Sequence, residues 1–76
     1  MSNPQHSIAS AVRAELARAG HRGTDLCPVL RISQAGCSRR LSGLTPFRAD
    51  EIQAIAAFLS VPVETFYGPA ATEQPA

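Results

Sequence analysis

Apolar residues recur at helical spacing through most of the chain, and no run alternates long enough to predict a strand. In the first predicted helix, Ile8, Val12 and Leu16 lie at every fourth position and form one apolar stripe. We expect this helix to be capped by Ser7 and to run to about Ala19. The pattern therefore predicts an all-α fold.

Four further helices follow from the same periodicity and from the positions of proline and glycine. A short second helix is predicted over residues 24–31 and a third over 34–42. A fourth is predicted over 49–59, and a last short helix over 61–67. These elements form one domain, residues 7–68.

The two ends of the chain differ from this domain in composition. Residues 1–6 and 69–76 are rich in Pro, Gln, Asn, Thr and Ala, and we expect them to be disordered tails. The longest apolar run, residues 54–59, is far shorter than the roughly 18 residues that a membrane span needs. The first residues also lack the pattern of a signal peptide. We therefore predict a cytoplasmic protein without a membrane segment.

The third predicted helix has two distinct faces. Cys37 and Leu41 are four positions apart and are expected to face inward, and Ser33 is a good N-cap. A short helix, a tight turn at Ile32-Ser33 and a second helix with a polar start and a basic end are typical of a helix-turn-helix. The residues left on the outside of the third helix are Gln34, Ala35, Ser38 and Arg39, with Arg40 at the flank.

These outward residue types suit the reading of DNA in the major groove. A glutamine amide can pair with adenine, a small alanine can contact a thymine methyl, and arginine is the commonest bidentate partner of guanine. Serine hydroxyls and the N–H groups at helix starts can hold phosphates, which fixes register without reading sequence. The combination favours double-stranded DNA as the partner.

The charge distribution points the same way, although the formal net charge is only +1. All seven basic residues are arginine; four of them, with no acid, lie in residues 26–49. Residues 50–76 carry four acids and no base. Such asymmetry indicates an anionic partner. The alternative is two solvated faces of opposite sign that attract each other.

Two segments resemble the phage-repressor/Cro type of helix-turn-helix protein, the XRE family. Residues 32–43 (ISQAGCSRRLSG) are similar to its turn and recognition helix, and residues 58–67 (FLSVPVETFY) to its closing segment. Residues 39–47 (RRLSGLTPF) look like small regulators of GC-rich actinobacteria and their phages. The resemblance covers residues 8–67 and implies a compact five-helix, lambda-repressor-like DNA-binding domain.

The resemblance also implies roles for individual residues. Two positions depart from the family pattern: Gly23 stands where glutamine is usual, and Arg31 where the turn glycine is usual. Arg31 has to tolerate a strained backbone in the turn; it either reaches a phosphate in compensation, or the turn is reshaped. The base-reading positions are Gln34, Ala35, Ser38 and Arg39; the other phosphate-contacting positions are Ser33, Arg40, Ser42 and Arg48; and the dimer candidates are Val63, Phe66 and Tyr67.

No catalytic or metal-binding pattern emerges from the remaining polar residues. Cys27 and Cys37, with His6 and His21, lack any standard zinc spacing, so we expect the cysteines to be small buried hydrophobes, with a redox switch as the lesser alternative. The adjacent acids at 50–51 point in different directions on a helix, and a capping role explains them. The sequence predicts no enzyme, no metal and no cofactor.

Together these observations predict a sequence-specific transcriptional regulator, a phage or prophage repressor or Cro-like protein. A homodimer would place two recognition helices ~34 Å apart on a pseudo-palindromic operator. A different class remains open: a protein-interaction module on the same fold, such as an antitoxin-like or anti-repressor partner. This alternative is favoured slightly by three residues with little or no side chain, Gly23, Ala35 and Gly36. An architectural accessory factor that bends DNA is a third alternative.

Overall fold

A computed structural model describes residues 4–67, and side chains from Ser7 onward. Within that part the chain is helical, with no strand, which confirms the all-α prediction. A further helical turn occupies residues 64–67. The elements in order are α1 (Pro4–Arg18), a 3-10 turn (Gly23–Asp25), α2 (Leu26–Leu30), α3 (Gln34–Leu41) and α4 (Ala49–Leu59).

Helix α1 begins at Pro4, earlier than the predicted cap at Ser7. Proline suits the first turn of a helix because its missing N–H would have no intrahelical partner there. The predicted N-terminal tail is thus wrong for residues 4–6, which are helical. The rest of the two predicted tails, residues 1–3 and 69–76, lies outside the described residues. Gly20, at φ 79°, follows the helix in the left-handed conformation that commonly ends one.

The core sits where α1, α2 and α4 meet, and the α1 stripe is buried in it as predicted. The closing segment contributes Phe66, which is only 1% exposed and is the largest of the fully buried side chains. Burial of one such side chain stabilises the fold by about 1.5–3 kcal/mol. The buried hydrophobic residues are Ile8, Ala9, Val12, Leu16, Leu26, Cys37, Phe47, Ile52, Ile55, Ala56 and Phe66.

The predicted second helix is split into a 3-10 turn and a single α-helical segment. Asp25 Oδ2 accepts a hydrogen bond from the Arg22 N–H at 2.9 Å, which fixes the start of the turn. Leu26 is buried, whereas Val29 and Leu30 are half-buried. The segment is too short to bury a full apolar face.

Helix α4 has the predicted bounds and carries its apolar face into the core. Its first turn is closed by Glu51, whose Oε1 accepts a hydrogen bond from the Arg48 N–H at 2.9 Å. A carboxylate three residues after the N-cap commonly reaches back in this way. In the described part of the chain, no helix has both the length and the apolar character that a membrane crossing needs.

Candidate functional site

The turn between α2 and α3 holds Arg31 in a left-handed conformation, with φ 57° and ψ 46°. The turn is closed by the Ile32 N–H, which donates to the Cys27 carbonyl at 3.1 Å. The structure thus confirms that a non-glycine residue occupies the strained position. Such a conformation costs an L-residue roughly 1–2 kcal/mol. The Arg31 side chain is exposed and has no hydrogen bond or ion pair with residues 4–67.

Helix α3 starts at the predicted residue and is capped by the predicted side chain. Ser33 Oγ accepts a hydrogen bond from the Gly36 N–H at 3.1 Å. The Ser33 carbonyl accepts from the Cys37 N–H at 2.9 Å, which begins the helical ladder. The hydroxyl proton of Ser33 is therefore not needed by the cap.

One face of α3 points away from the protein. Cys37 is buried and Leu41 is half-buried, as predicted from their spacing. The Arg39 guanidinium makes no hydrogen bond or ion pair within the described chain. The exposed residues of this outward face are the four predicted base-reading residues, Gln34, Ala35, Ser38 and Arg39.

The end of α3 is fixed by a pair of backbone hydrogen bonds. The Gly43 N–H donates to the Arg40 carbonyl at 3.1 Å, and the Leu44 N–H to the Arg39 carbonyl at 2.9 Å. With Gly43 at φ 88°, this is a Schellman motif. The Ser42 hydroxyl donates to the Arg39 carbonyl at 3.0 Å, so it has to rotate before it can donate to a phosphate.

Arg40 is held inside the protein rather than presented to a partner. Its Nε donates to Glu51 Oε1 at 3.0 Å, and its Nη1 donates to the Gly36 carbonyl at 3.1 Å. The Arg40 and Glu51 side chains are only 17% and 10% exposed. Because its charge is already paired, we no longer assign Arg40 to phosphate contact. It ties α3 to the first turn of α4.

Arg48 differs from Arg40 although both are paired with acids of α4. Its Nε lies 3.4 Å from Asp50 Oδ1, and both side chains are more than two-thirds exposed. An exposed pair of this kind contributes little and exchanges readily with another anion. Arg48 is therefore accessible to a phosphate.

These ion pairs change the meaning of the charge asymmetry in the sequence. Of the four arginines in residues 26–49, Arg40 and Arg48 are paired with the first turn of α4. The attraction between oppositely charged segments thus accounts for half of the basic stretch. Arg31 and Arg39 are its members without an acidic partner in residues 4–67.

The predicted dimer candidates are not all on the surface. Phe66 lies in the core, so the prediction that it contacts a second protomer is wrong. Tyr67 is 38% exposed and Val63 is half-buried. Phe58, 37% exposed, adds apolar surface, and its ring stacks on His21 with centroids 4.7 Å apart.

The two cysteines are free thiols that pack against the core. Cys37 is buried and its Sγ–H donates to the Gly23 carbonyl at 3.2 Å. Burial, reinforced by the neighbouring Cys27, raises the pKa of Cys37 to about 11, so it is a neutral thiol at physiological pH. Cys27 is half-buried rather than buried as predicted. Residues 4–67 contain no group of three potential metal ligands.

Gly23, which stands where the family has glutamine, is explained by close packing. A Cβ at this position would lie 2.7 Å from Leu41 Cδ1, so a larger residue would require the Leu41 side chain to shift. Leu41 is also contacted from α1, since Arg13 Nη1 donates to its carbonyl. The sequence does not reveal this contact, because the two residues are 28 positions apart.

No protein-family model, no curated protein and no solved structure matches this chain.

Proposed function

We propose that this protein is a sequence-specific double-stranded DNA-binding transcriptional regulator of the phage-repressor or Cro type, with a lambda-repressor-like fold. The observation that supports it best is the outward face of α3. That face follows a capped helix start and a tight turn, and it combines an amide, a small apolar side chain and an arginine without an internal partner. These groups match the hydrogen-bonding edges of base pairs.

In this proposal α3 enters the major groove with its N-terminal residues toward the bases. Gln34 pairs with adenine, Ala35 contacts a thymine methyl, and Arg39 makes a bidentate contact with guanine. Ser38 hydrogen-bonds to a base edge within reach of its short side chain. Because Cys37 is buried in the core and Leu41 packs against it, α3 presents this face as a rigid unit.

The surrounding residues fix the register on the duplex. Arg31, before α3 in the chain, and Arg48, after it, contact phosphates, together with the hydroxyls of Ser33 and Ser42. Two protomers associate through Tyr67 and Val63, which places their α3 helices ~34 Å apart on a pseudo-palindromic site. Arg40 acts only by holding α3 against α4.

A fluorescence-anisotropy titration of a labelled random-sequence duplex across a salt series tests this proposal. We expect log Kd to depend linearly on log salt, since phosphate contacts release counterions. Arg39→Ala should weaken binding to a duplex that the wild-type protein has selected from a random pool more than it weakens binding to random-sequence duplex. The matched control is Arg18→Ala, which removes the same charge from an exposed arginine that is paired with Glu15 on α1.

The protein-interaction alternative loses part of its support. Gly36 is buried and Gly23 is half-buried, so Ala35 is the one of these three small residues that is exposed. That alternative predicts no duplex binding even at low salt. Equal effects of Arg39→Ala and Arg18→Ala on selected and random duplex would also count against the base-reading role.

A further inference from the structure

An open groove of about 620 Å³ lies between the 3-10 turn and α3 and runs along α3 from Gln34 to its C-terminal end. Its volume falls within the range of small-ligand sites, about 300–1,000 Å³. The 3-10 turn and α3 are in direct contact beside the groove, where the Cys37 Sγ–H donates to the Gly23 carbonyl. Its two arginines, Arg13 and Arg22, have no part in the base contacts or in the phosphate contacts of Arg31 and Arg48.

The lining of the groove combines cationic and apolar groups. Arg13 and Arg22 line it and no acidic residue does. The apolar part is formed by Cys37 and Leu41 beside the backbone of Gly23. A groove with positive charge and an apolar surface is complementary to an organic anion, whose charged group and apolar body are both accommodated.

The two arginines have different roles in this groove. Arg13 Nη1 donates to the Leu41 carbonyl, so it closes the groove beside α3. The Arg22 guanidinium has no hydrogen bond or ion pair within residues 4–67 and is exposed. The nearby carboxylate of Asp25 is engaged by the backbone N–H of Arg22 and by His21. The Arg22 guanidinium is therefore the group in the groove that can bind an anion.

We propose that this groove binds a small organic anion, a phosphate or carboxylate on an apolar body, with Arg22 as its main charged contact. A DNA backbone presents sugars and charged oxygens, so it matches the apolar part of the groove less well than an organic anion does. Gln34 and Ser38 also line the groove. A bound anion therefore masks two base-reading residues and competes with DNA, a regulatory consequence that rests on the proposed function.

The binding test uses the full, isotope-labelled chain and NMR titration with 1-naphthyl phosphate. We expect saturable shifts of the amides of Gly23, Thr24 and Ser38. Inorganic phosphate, which lacks the apolar body, and 1-naphthylmethanol, which lacks the charge, should each bind about tenfold more weakly or worse. Equal binding of either partial probe, or no saturable shift at these amides, would overturn the proposal.

Substitution at Arg22 tests the charged contact. Arg22→Ala should weaken 1-naphthyl phosphate about tenfold, in line with the loss of one charge-assisted hydrogen bond. Arg22→Lys should restore part of the affinity. The control Arg18→Ala removes the same charge outside the groove and should change affinity less than about twofold. Equal weakening by Arg18→Ala and Arg22→Ala would mean a general charge effect and would refute the site.

Competition with duplex separates this proposal from the proposed function. Saturating 1-naphthyl phosphate should weaken binding of random-sequence duplex to the wild type and not to Arg22→Ala. If the chain binds no duplex, the proposed function fails, while the titration without DNA still decides the groove. If duplex shifts the groove amides and 1-naphthyl phosphate does not, the groove belongs to the duplex and the ligand site is refuted.

Discussion

The strained turn at Arg31 allows stability and DNA affinity to be separated. Glycine at this position relieves roughly 1–2 kcal/mol of left-handed strain, since Arg31 has φ 57°. Glycine also gives the unfolded chain more freedom, which costs about 0.5–1 kcal/mol. We therefore expect Arg31→Gly to raise the free energy of unfolding by about 0.5–1 kcal/mol, or Tm by a few degrees for a domain of this size.

The same substitution should weaken DNA binding. It removes an exposed guanidinium that has no partner in residues 4–67, so one phosphate contact is lost. The slope of log Kd against log salt should fall by about 0.9 for that contact. Thermal and urea denaturation measure the first effect, and anisotropy across a salt series measures the second. The free energy of unfolding should rise while the affinity for DNA falls.

Ser60 provides a matched control within the same chain. It holds the same left-handed conformation, φ 58°, at the C-terminal end of α4 and outside the proposed interface. Ser60→Gly should therefore stabilise the fold to a similar extent and leave duplex binding unchanged. If Arg31→Gly failed to stabilise the protein, or stabilised it with no loss of affinity, the strain or the phosphate contact would be refuted.

Three further predictions follow from the contacts of charged and titratable groups. Arg40→Met should lower the free energy of unfolding in urea by about 1–3 kcal/mol, because Glu51 loses its charged partner, and Arg40→Met with Glu51→Gln should recover part of the loss. The hydrogen bond from the Arg22 N–H lowers the pKa of Asp25 from 3.8, so the carboxylate stabilises the fold above that pH and the stabilisation is lost as the pH falls and the carboxylate is protonated. In Asp25→Asn, the free energy of unfolding measured in urea should therefore fall less in acid than it does in the wild type. The raised pKa of Cys37 means that its neutral thiol stabilises the fold fully below pH 9.0, and that this stabilisation is lost as the pH rises to about 11. The free energy of unfolding should therefore fall over this range in the wild type and not in Cys37→Ala. If both proteins gave the same alkaline profile, the burial of the thiol would be contradicted.

The helix boundaries around the candidate site could be predicted because local chemistry sets them. Ser33 caps α3 through a bond to a residue three positions on, and Gly43 ends the helix by its own conformation. The left-handed state of Arg31 was predicted by resemblance, because the family places glycine there. Each of these features depends on a few adjacent residues.

The features that the sequence did not reveal depend on contacts between distant segments. Whether Arg40 faces solvent or Glu51 depends on where the first turn of α4 lies relative to α3, and helical spacing alone put Arg40 at the flank. Phe66 was expected among the dimer candidates, and only packing shows that it belongs to the core. Pro4 shows that a polar composition does not exclude helix when the first turn tolerates proline.

Selection of binding sites from a random duplex pool tests the central claim most directly. The wild-type chain should enrich a pseudo-palindromic motif, with half-sites one helical turn apart or a multiple of it. Arg39→Ala should lose discrimination at one base position in each half-site, while Arg18→Ala recovers the full motif. A pool that shows no enrichment, or an identical motif from Arg39→Ala, would contradict base reading by α3.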